Sequence, residues 1–213
     1  MRAFVRAERA VVRTRRTWPI DRSSDFGHNR AMPRPRAAKP DDRRSLIADA
    51  AIAELAASGS RGLTHRAIDR RLALPLGSTS YYFRTRESLI EAANDRLAAL
   101  DAADVAETAL TPTALEALLD RWLAPANRER LVARFELYLD AARSDGHPLT
   151  ASRKQFVART QKALASAGAA SPRVAALALV ALSDGLLLHT MLGTAPTRAE
   201  RSALLASVVA AFR

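Results

Sequence analysis

The sequence predicts an all-α protein of about nine helices. Hydrophobic residues make up 48% with Ala prominent, and aromatic residues only 5%. Strands draw on β-branched and aromatic side chains, whereas helices favour Ala and Leu. Apolar residues also recur at spacings of three and four between cap residues and glycines. A length of 213 residues has room for one domain or two small ones with a real core.

Residues 1–39 read as a disordered basic tail, with Pro19, Pro33, Pro35 and no sustained period. Residues 1–40 carry eleven basic side chains against three acidic, a balance of +8 that leaves +3 of the total +11 to the rest. Such a tail fits a polyanion partner such as DNA, or a solvated disordered segment. It lacks the apolar core of a secretory signal. Met32 is a candidate true start, because MPRPRAAKPDD leads straight into the first good helix.

The first helix is expected from about Asp41 to Ser58. Two acidic residues open it, Ile47, Ala51 and Leu55 form its apolar stripe, and Gly59 and Gly62 end it. Thr64 caps a second helix that runs to about Leu72. Ala73 and Leu74 turn the chain, and Pro75 suits the first turn of a short third helix ending near Tyr82. Thr85 caps a fourth, to about Glu107. Helix 5 spans about Pro112 to Leu123, with Thr113 and Glu116 at capping-box spacing. Helix 6 runs from about Arg128 to Ser144, and helix 7 from about Thr150 to Ala167, with His147 in the loop between them. Helix 8 spans about Pro172 to Leu192 with Ser171 as cap. Helix 9, about Arg198 to Phe212, opens on the box Thr197 and Glu200.

Helices 2 and 3 with their tight turn, Leu63 to Leu89, form a helix-turn-helix reader of duplex DNA. A reading helix lies in the major groove and needs small or polar residues near its start, as at Leu76-Gly77-Ser78. Gly77 costs roughly 1 kcal/mol of helix propensity against Ala; close approach to DNA explains it, and so does a chain turn. Tyr81 and Tyr82 are adjacent, so at least one hydroxyl points outward. Arg66, Arg84 and Arg86 flank the reader and can clamp phosphates.

Residues 41–93 resemble the TetR family of bacterial regulators. Leu63-Thr64-His65-Arg66 and Ile68 match the start of the family pattern. Leu74, Gly77, Phe83 and Leu89 hold their places, and Thr85 and Arg86 are conservative replacements. The resemblance implies base contacts from Leu76, Gly77, Ser78 and Tyr81. It implies phosphate contacts from Thr64, His65, Arg66, Ser80, Tyr82 and Arg86, with Arg34, Arg36 and Lys39 reaching an adjacent groove. Ser80 and Tyr82 replace the family's usual Tyr and His and can still bond phosphate, so the contacts differ and the operator cannot be borrowed from a relative. Asp69 stands where a small Ala usually packs. Buried alone it is costly, so either helix 2 is rotated or Asp69 meets Arg66, Arg70 or Arg71.

The family organisation implies a three-helix DNA-binding unit over 40–85 and a ligand-binding and dimerisation body over 86–213. A homodimer would form through helices 8 and 9, about 172–192 and 198–212. Helix 8 is apolar nearly all round, which independently requires cover on every side. It is almost long enough to span a bilayer, but Asp184 in its middle would cost roughly 2.5–3.5 kcal/mol there, so it reads as a buried helix and no membrane partner is expected. A pocket enclosed by helices 4 to 8 is expected to use Trp122, Phe135, Tyr138, Phe156, Asp184 and His189, with Leu118 and Leu139 as walls. Ordinary core is the alternative for the apolar members. Asp184 wants a partner: His189, an Arg across the dimer, or a cationic ligand group.

The chain has no cysteine, which excludes disulfides, thiolate chemistry and a Cys-type zinc site. The four histidines are scattered at 28, 65, 147 and 189, and no nucleophile triad or phosphate loop is present, so no enzyme, metal or cofactor is expected. The sequence therefore predicts a cytoplasmic, ligand-responsive repressor that leaves a near-palindromic double-stranded DNA operator when a small molecule binds. The alternatives are an activator of the same family, a helical small-molecule-binding protein without regulation, and a nonspecific architectural DNA binder.

Overall fold

The computed structural model describes residues 40–211, and among these every regular element is helical. The tail, Met32, Arg34, Arg36, Lys39 and the end of helix 9 at Phe212 lie outside the described residues. Nine α-helices succeed one another: α1 Pro40–Gly62, α2 His65–Arg71, α3 Ser78–Tyr82, α4 Arg86–Ala106, α5 Pro112–Leu123, α6 Arg128–Ala141, α7 Pro148–Ser166, α8 Pro172–Met191 and α9 Arg198–Ala210. A 3₁₀ turn, Pro125–Asn127, joins α5 to α6.

Most boundaries come from local chemistry. Thr64 accepts the Ala67 N–H at 3.2 Å and starts α2. Thr85 and Ser88 form a reciprocal capping box on α4, and Thr197 and Glu200 do the same on α9. Gly59 adopts φ 67°, ψ −178°, so the straight part of α1 ends there and one further turn carries the chain to Gly62.

Four expectations are corrected. Helix α3 starts at Ser78, not at Pro75, because Ala73 (φ 50°) and Gly77 (φ 89°) both take the left-handed region, which a right-handed helix cannot include. Thr111, not Thr113, caps α5, accepting the Ala114 N–H at 3.2 Å. Ser171 makes no side-chain cap bond, and Pro172, which lacks an N–H, opens α8 without one. His147 is not a loop bystander. It is buried, accepts the Leu149 N–H on Nδ1 at 3.1 Å, and so caps α7.

Two apolar clusters organise the packing. The first joins Ile47 and Leu55 of α1, Ile68 of α2, Leu89 and Leu97 of α4, and Ala133 and Leu137 of α6. The second joins Leu115, Leu119 and Trp122 of α5, Leu131 of α6, Leu179 and Leu187 of α8, and Leu205 of α9. Helix α6 thus contributes to both clusters. The helix-turn-helix is packed on the same core as α6, with no gap at residue 85.

Polar contacts brace that junction. Ser60 donates to Asp140 Oδ1 at 2.7 Å, and Asp140 Oδ2 lies 3.3 Å from His147 Nε2. Arg86 donates to the Ser60 carbonyl. One patch thereby ties the end of α1 to the start of α4, the end of α6 and the start of α7.

Leu137 is 1% exposed at the centre of the shared cluster. Leu137→Ala should cost about 3 kcal/mol. Urea unfolding should show one shifted transition, with no separately stable N-terminal unit.

Candidate DNA-reading face and effector cavity

The reader is built from a buried side and a bare side. On the buried side Ile68 is fully enclosed and Tyr82 packs against the first cluster. On the bare side Leu76 is 74% exposed and Tyr81 81% exposed. Thr64, Arg66, Gly77 and Ser80 are exposed beside them, and Ser78 is half-buried. The Tyr81 and Tyr82 rings meet edge to face at 5.1 Å, which stiffens the outward ring. Six of the expected DNA contacts (Thr64, Arg66, Leu76, Gly77, Ser80 and Tyr81) therefore share the outer surface.

Two others are engaged within the protein. His65 Nε2 is 2.6 Å from the Phe83 carbonyl, so that nitrogen carries the proton and donates. Arg86 is half-buried on the Ser60 carbonyl. Both fix the reader on its support.

Asp69 resolves differently from either expectation. It is fully buried, and it meets none of the three arginines. Its Oδ2 accepts the Gly77 N–H at 2.7 Å; its Oδ1 accepts the Thr79 N–H at 2.8 Å and the Thr79 hydroxyl at 2.6 Å. The carboxylate thus takes the free donors at the start of α3, which a helix N-terminus leaves without intrahelical partners. Burial pushes its pKa up, but the hydrogen bonds from Thr79 and Gly77 outweigh this and hold the carboxyl below its ordinary value. Thr79, fully buried, is the residue that sequence reasoning missed. Its signal was a small hydroxyl ten positions after an acid in a helix-turn-helix. Gly77 is explained by its φ of 89°, and an added Cβ there would meet nothing within 4 Å.

The second candidate site lies between α4, α5, α6, α7 and α8. It consists of two small cavities, about 40 and about 50 Å³. Both are walled by Arg134, Arg153 and Phe156. Both are lined mainly by apolar surface. The first adds the polar side chains of Asn94, Asp101, Tyr138 and Ser152 to Leu97, Ala98, Leu137 and Leu149; the second has Leu115, Leu118, Leu119, Trp122, Leu179 and Val180, closed by Asp184. Of the expected pocket residues, Trp122, Tyr138, Phe156, Asp184 and Leu118 line these cavities. Phe135 does not; it supports the Tyr138 ring edge-on at 5.5 Å. Leu139 is 51% exposed and is no wall. His189 is exposed, bonded to Thr194 at 3.0 Å in the open groove between α8 and α9. Five residues along a helix is a rotation of about 140°, so His189 cannot share a face with Asp184.

The polar groups here form two sets. Asp101, 6% exposed, pairs with Arg134 at 2.7 Å and Arg130 at 3.3 Å. Asp104 pairs with Arg130 at 3.0 Å and accepts Trp122 Nε1–H at 2.9 Å. Burial raises the Asp104 carboxyl, but Trp122, Arg130 and Arg121 bring it below the usual value. Asp184 pairs with Arg153 of its own chain and accepts the Tyr138 hydroxyl at 3.2 Å. Burial, then Asp184, push the Tyr138 phenol up to about 12, so it stays a donor at neutral pH. The arginines were missed. Their signal was Arg130 and Arg134 at helical spacing opposite Asp101 and Asp104.

A helix-turn-helix with a bare reading edge, packed on a helical body with an internal cavity, defines a DNA-binding regulator with a ligand-binding body. Residues 106–211 match the family model described as "Tetracyclin repressor-like, C-terminal domain". A TetR family member from Streptomyces coelicolor A3 is 30% identical over 78% of this chain and 98% of its own, with a TM-score of 0.66. The multidrug binding protein EbrR, solved with ethidium, is 30% identical over 78% of this chain and 98% of its own, TM-score 0.63. A TetR-family regulator from Rhodococcus sp., 23% identical over 81% of this chain and 100% of its own, shares the fold with a TM-score of 0.67. No curated protein sequence matches this chain. The chain belongs to the TetR family of transcriptional regulators.

Asp69→Ala should destabilise the protein by about 2 kcal/mol by leaving buried N–H groups unpaired. A carboxyl held below its ordinary value stabilises above about pH 4 and loses that contribution as pH falls through its lowered folded value. Wild-type stability should therefore fall more steeply below about pH 4 than that of Asp69→Asn, in urea titrations at stepped pH.

Proposed function

We propose that this protein is a homodimeric, ligand-responsive repressor that binds a near-palindromic operator and leaves it when a small molecule enters the α4–α8 cavity. Residues 40–85 act as the reader and 86–213 as the effector-binding and dimerisation body, in the cytoplasm. The observation that carries the reading is continuity: α6 supplies Leu137 to the core under the reader, and Arg134 and Tyr138 to the cavity. A ligand that favours one placement of α6 therefore biases the reader, and operator affinity changes by the difference in ligand affinity for the two states.

Base contacts come from Leu76, Gly77, Ser78 and Tyr81, and phosphate contacts from Thr64, Arg66 and Ser80. Tyr82 reaches a phosphate only at its rim. His65 and Arg86 act mainly by holding the reader, and contact DNA through what their internal bonds leave free. The cavity is closed to a drug-sized molecule, which needs roughly 300 Å³ or more, so effector binding requires the helices around it to move.

Dimerisation uses α8 and α9. Val174, Leu177 and Leu188 on α8, Leu192 at its end and Leu204 on α9 are exposed, flanking a groove in which Ala181, Gly185 and Ala203 allow close backbone approach. Helix α8 has the length and apolarity of a membrane span but is only a third buried within one chain. A second copy covers that apolar face, and a two-fold pair sets two readers one DNA turn apart.

With DNA from upstream of the gene, Tyr81→Ala and Arg66→Ala should each weaken binding about tenfold, roughly 1.4 kcal/mol, while Trp122→Ala leaves it unchanged. Unaltered affinity in both reader variants would sink the proposal. Leu188→Glu places like charges against each other across a two-fold contact. It should convert the dimer to monomer in sedimentation experiments.

A further inference from the structure

Arg153 occupies its surroundings in the way a bound ligand would. Its guanidinium carbon lies 5.2 Å from the centre of the Tyr138 ring and 5.8 Å from that of Phe156. It is paired with Asp184, which also accepts the Tyr138 hydroxyl. A carboxylate with two aromatic faces is the recognition set for an organic cation. Here the cation is part of the chain.

The two arginines of the cavity differ in whether they can leave. Arg134 is nine-tenths buried, bound to Asp101 and stacked 5.1 Å over Trp122. Burial works against its charge, but Asp101 raises its pKa, so it stays charged in place. The Arg153 side chain is 28% exposed, and its long stem lets the head reach solvent while the helix stays still. Arg153 is also a shared wall of both cavities. Its departure would open one cavity into the other.

Charge then selects the replacement. Asp101 keeps Arg134 and Arg130 whether or not Arg153 moves. Asp184 keeps the neutral Tyr138 hydroxyl and only the longer-range attraction of Arg134, whose own partner is Asp101, so this part-buried carboxylate loses its paired counter-ion, which is costly. A neutral or anionic ligand in that place leaves the cost standing. A monocation removes it.

We propose that Arg153 is an internal occupant of a cation site, and that the effector is a flat organic monocation that displaces it, its apolar body against Leu115, Leu118, Leu119 and Leu179 and its charge on Asp184. This rests on the reading of the α4–α8 cavity as the effector site. The displaced residue is also next to the reader's support. Ser152, its neighbour on α7, accepts a hydrogen bond from Asn94 of α4 at 2.6 Å, and α4 begins at the brace under the helix-turn-helix.

The test is a fluorescence titration of the full-length protein without DNA, using ethidium as the cationic probe and anilinonaphthalene sulfonate as the anionic one. Removing an internal competitor raises the competent fraction, so Arg153→Met should bind ethidium about tenfold more tightly than wild type. Arg153→Lys keeps a cation in the box and should bind no more tightly than wild type. Asp184→Asn should bind ethidium about tenfold more weakly, by loss of one charge-assisted contact. Weaker ethidium binding by Arg153→Met overturns the proposal. So does an anionic probe that binds wild type and is lost in Arg153→Met, since the guanidinium would then be a ligand contact. Operator affinity is measured on the same samples without probe. Wild-type operator binding alongside a failed ethidium series rejects the cation site and leaves the regulator reading standing; the reverse pattern separates them the other way.

Discussion

The reading helix is five residues long, and a helix that short cannot hold its own shape. Forming a first turn fixes several dihedrals for one hydrogen bond, and α3 ends before propagation repays that cost. The Asp69 carboxylate supplies what the helix lacks. It collects the free N–H groups of Gly77 and Thr79 and the Thr79 hydroxyl, and is itself anchored beside Ala67 and Ile68 on the buried side of α2. The outward aim of Leu76 and Tyr81 depends on that one buried acid. An isolated charge would be expensive at that depth; three short donors make it the keystone of the turn.

The body is arranged so that the reader cannot move alone. Leu137 and Ala133 of α6 complete the core under α1 and α4, and the Ser60–Asp140–His147 cluster with Arg86 braces the same junction from the polar side. A packed core transmits displacement because it has no spare volume to absorb it. Arg134 and Tyr138 of α6 line the cavity, so a change of volume there reaches the reader within one helix.

The two ion pairs lining the cavity are chemically alike and mechanically unlike. Asp101 with Arg134 is buried and reinforced by Arg130, so breaking it would leave a charge stranded in the interior. Asp184 with Arg153 is partly exposed, and its other arginine neighbour, Arg134, is paired with Asp101. Its energy is discounted by solvent, and its cation has a route to water. On the proposed reading the buried pair keeps the fold and the part-exposed pair is the one a ligand exchanges, and burial separates the two roles.

Local chemistry made much of this legible in the sequence. Thr64, Thr85 and Thr197 are caps because each accepts the N–H three positions along the chain, and Ile47, Ala51 and Leu55 are core because of their spacing. The order of helices and the helix-turn-helix were readable for the same reason: each depends on neighbours in the chain. Asp184 was recognisable as an acid in an apolar helix in need of a partner, and one of the two adjacent tyrosines as an outward ring. What tertiary structure alone decided is which residues meet across distance. It paired Asp69 with the start of α3 rather than with its adjacent arginines, Asp184 with Arg153 rather than with His189, and made His147 a cap. An arginine at 153 or a threonine at 79 carries no periodic signal. Its role is set by the three-dimensional approach of another helix, and sequence spacing measures distance only along the chain.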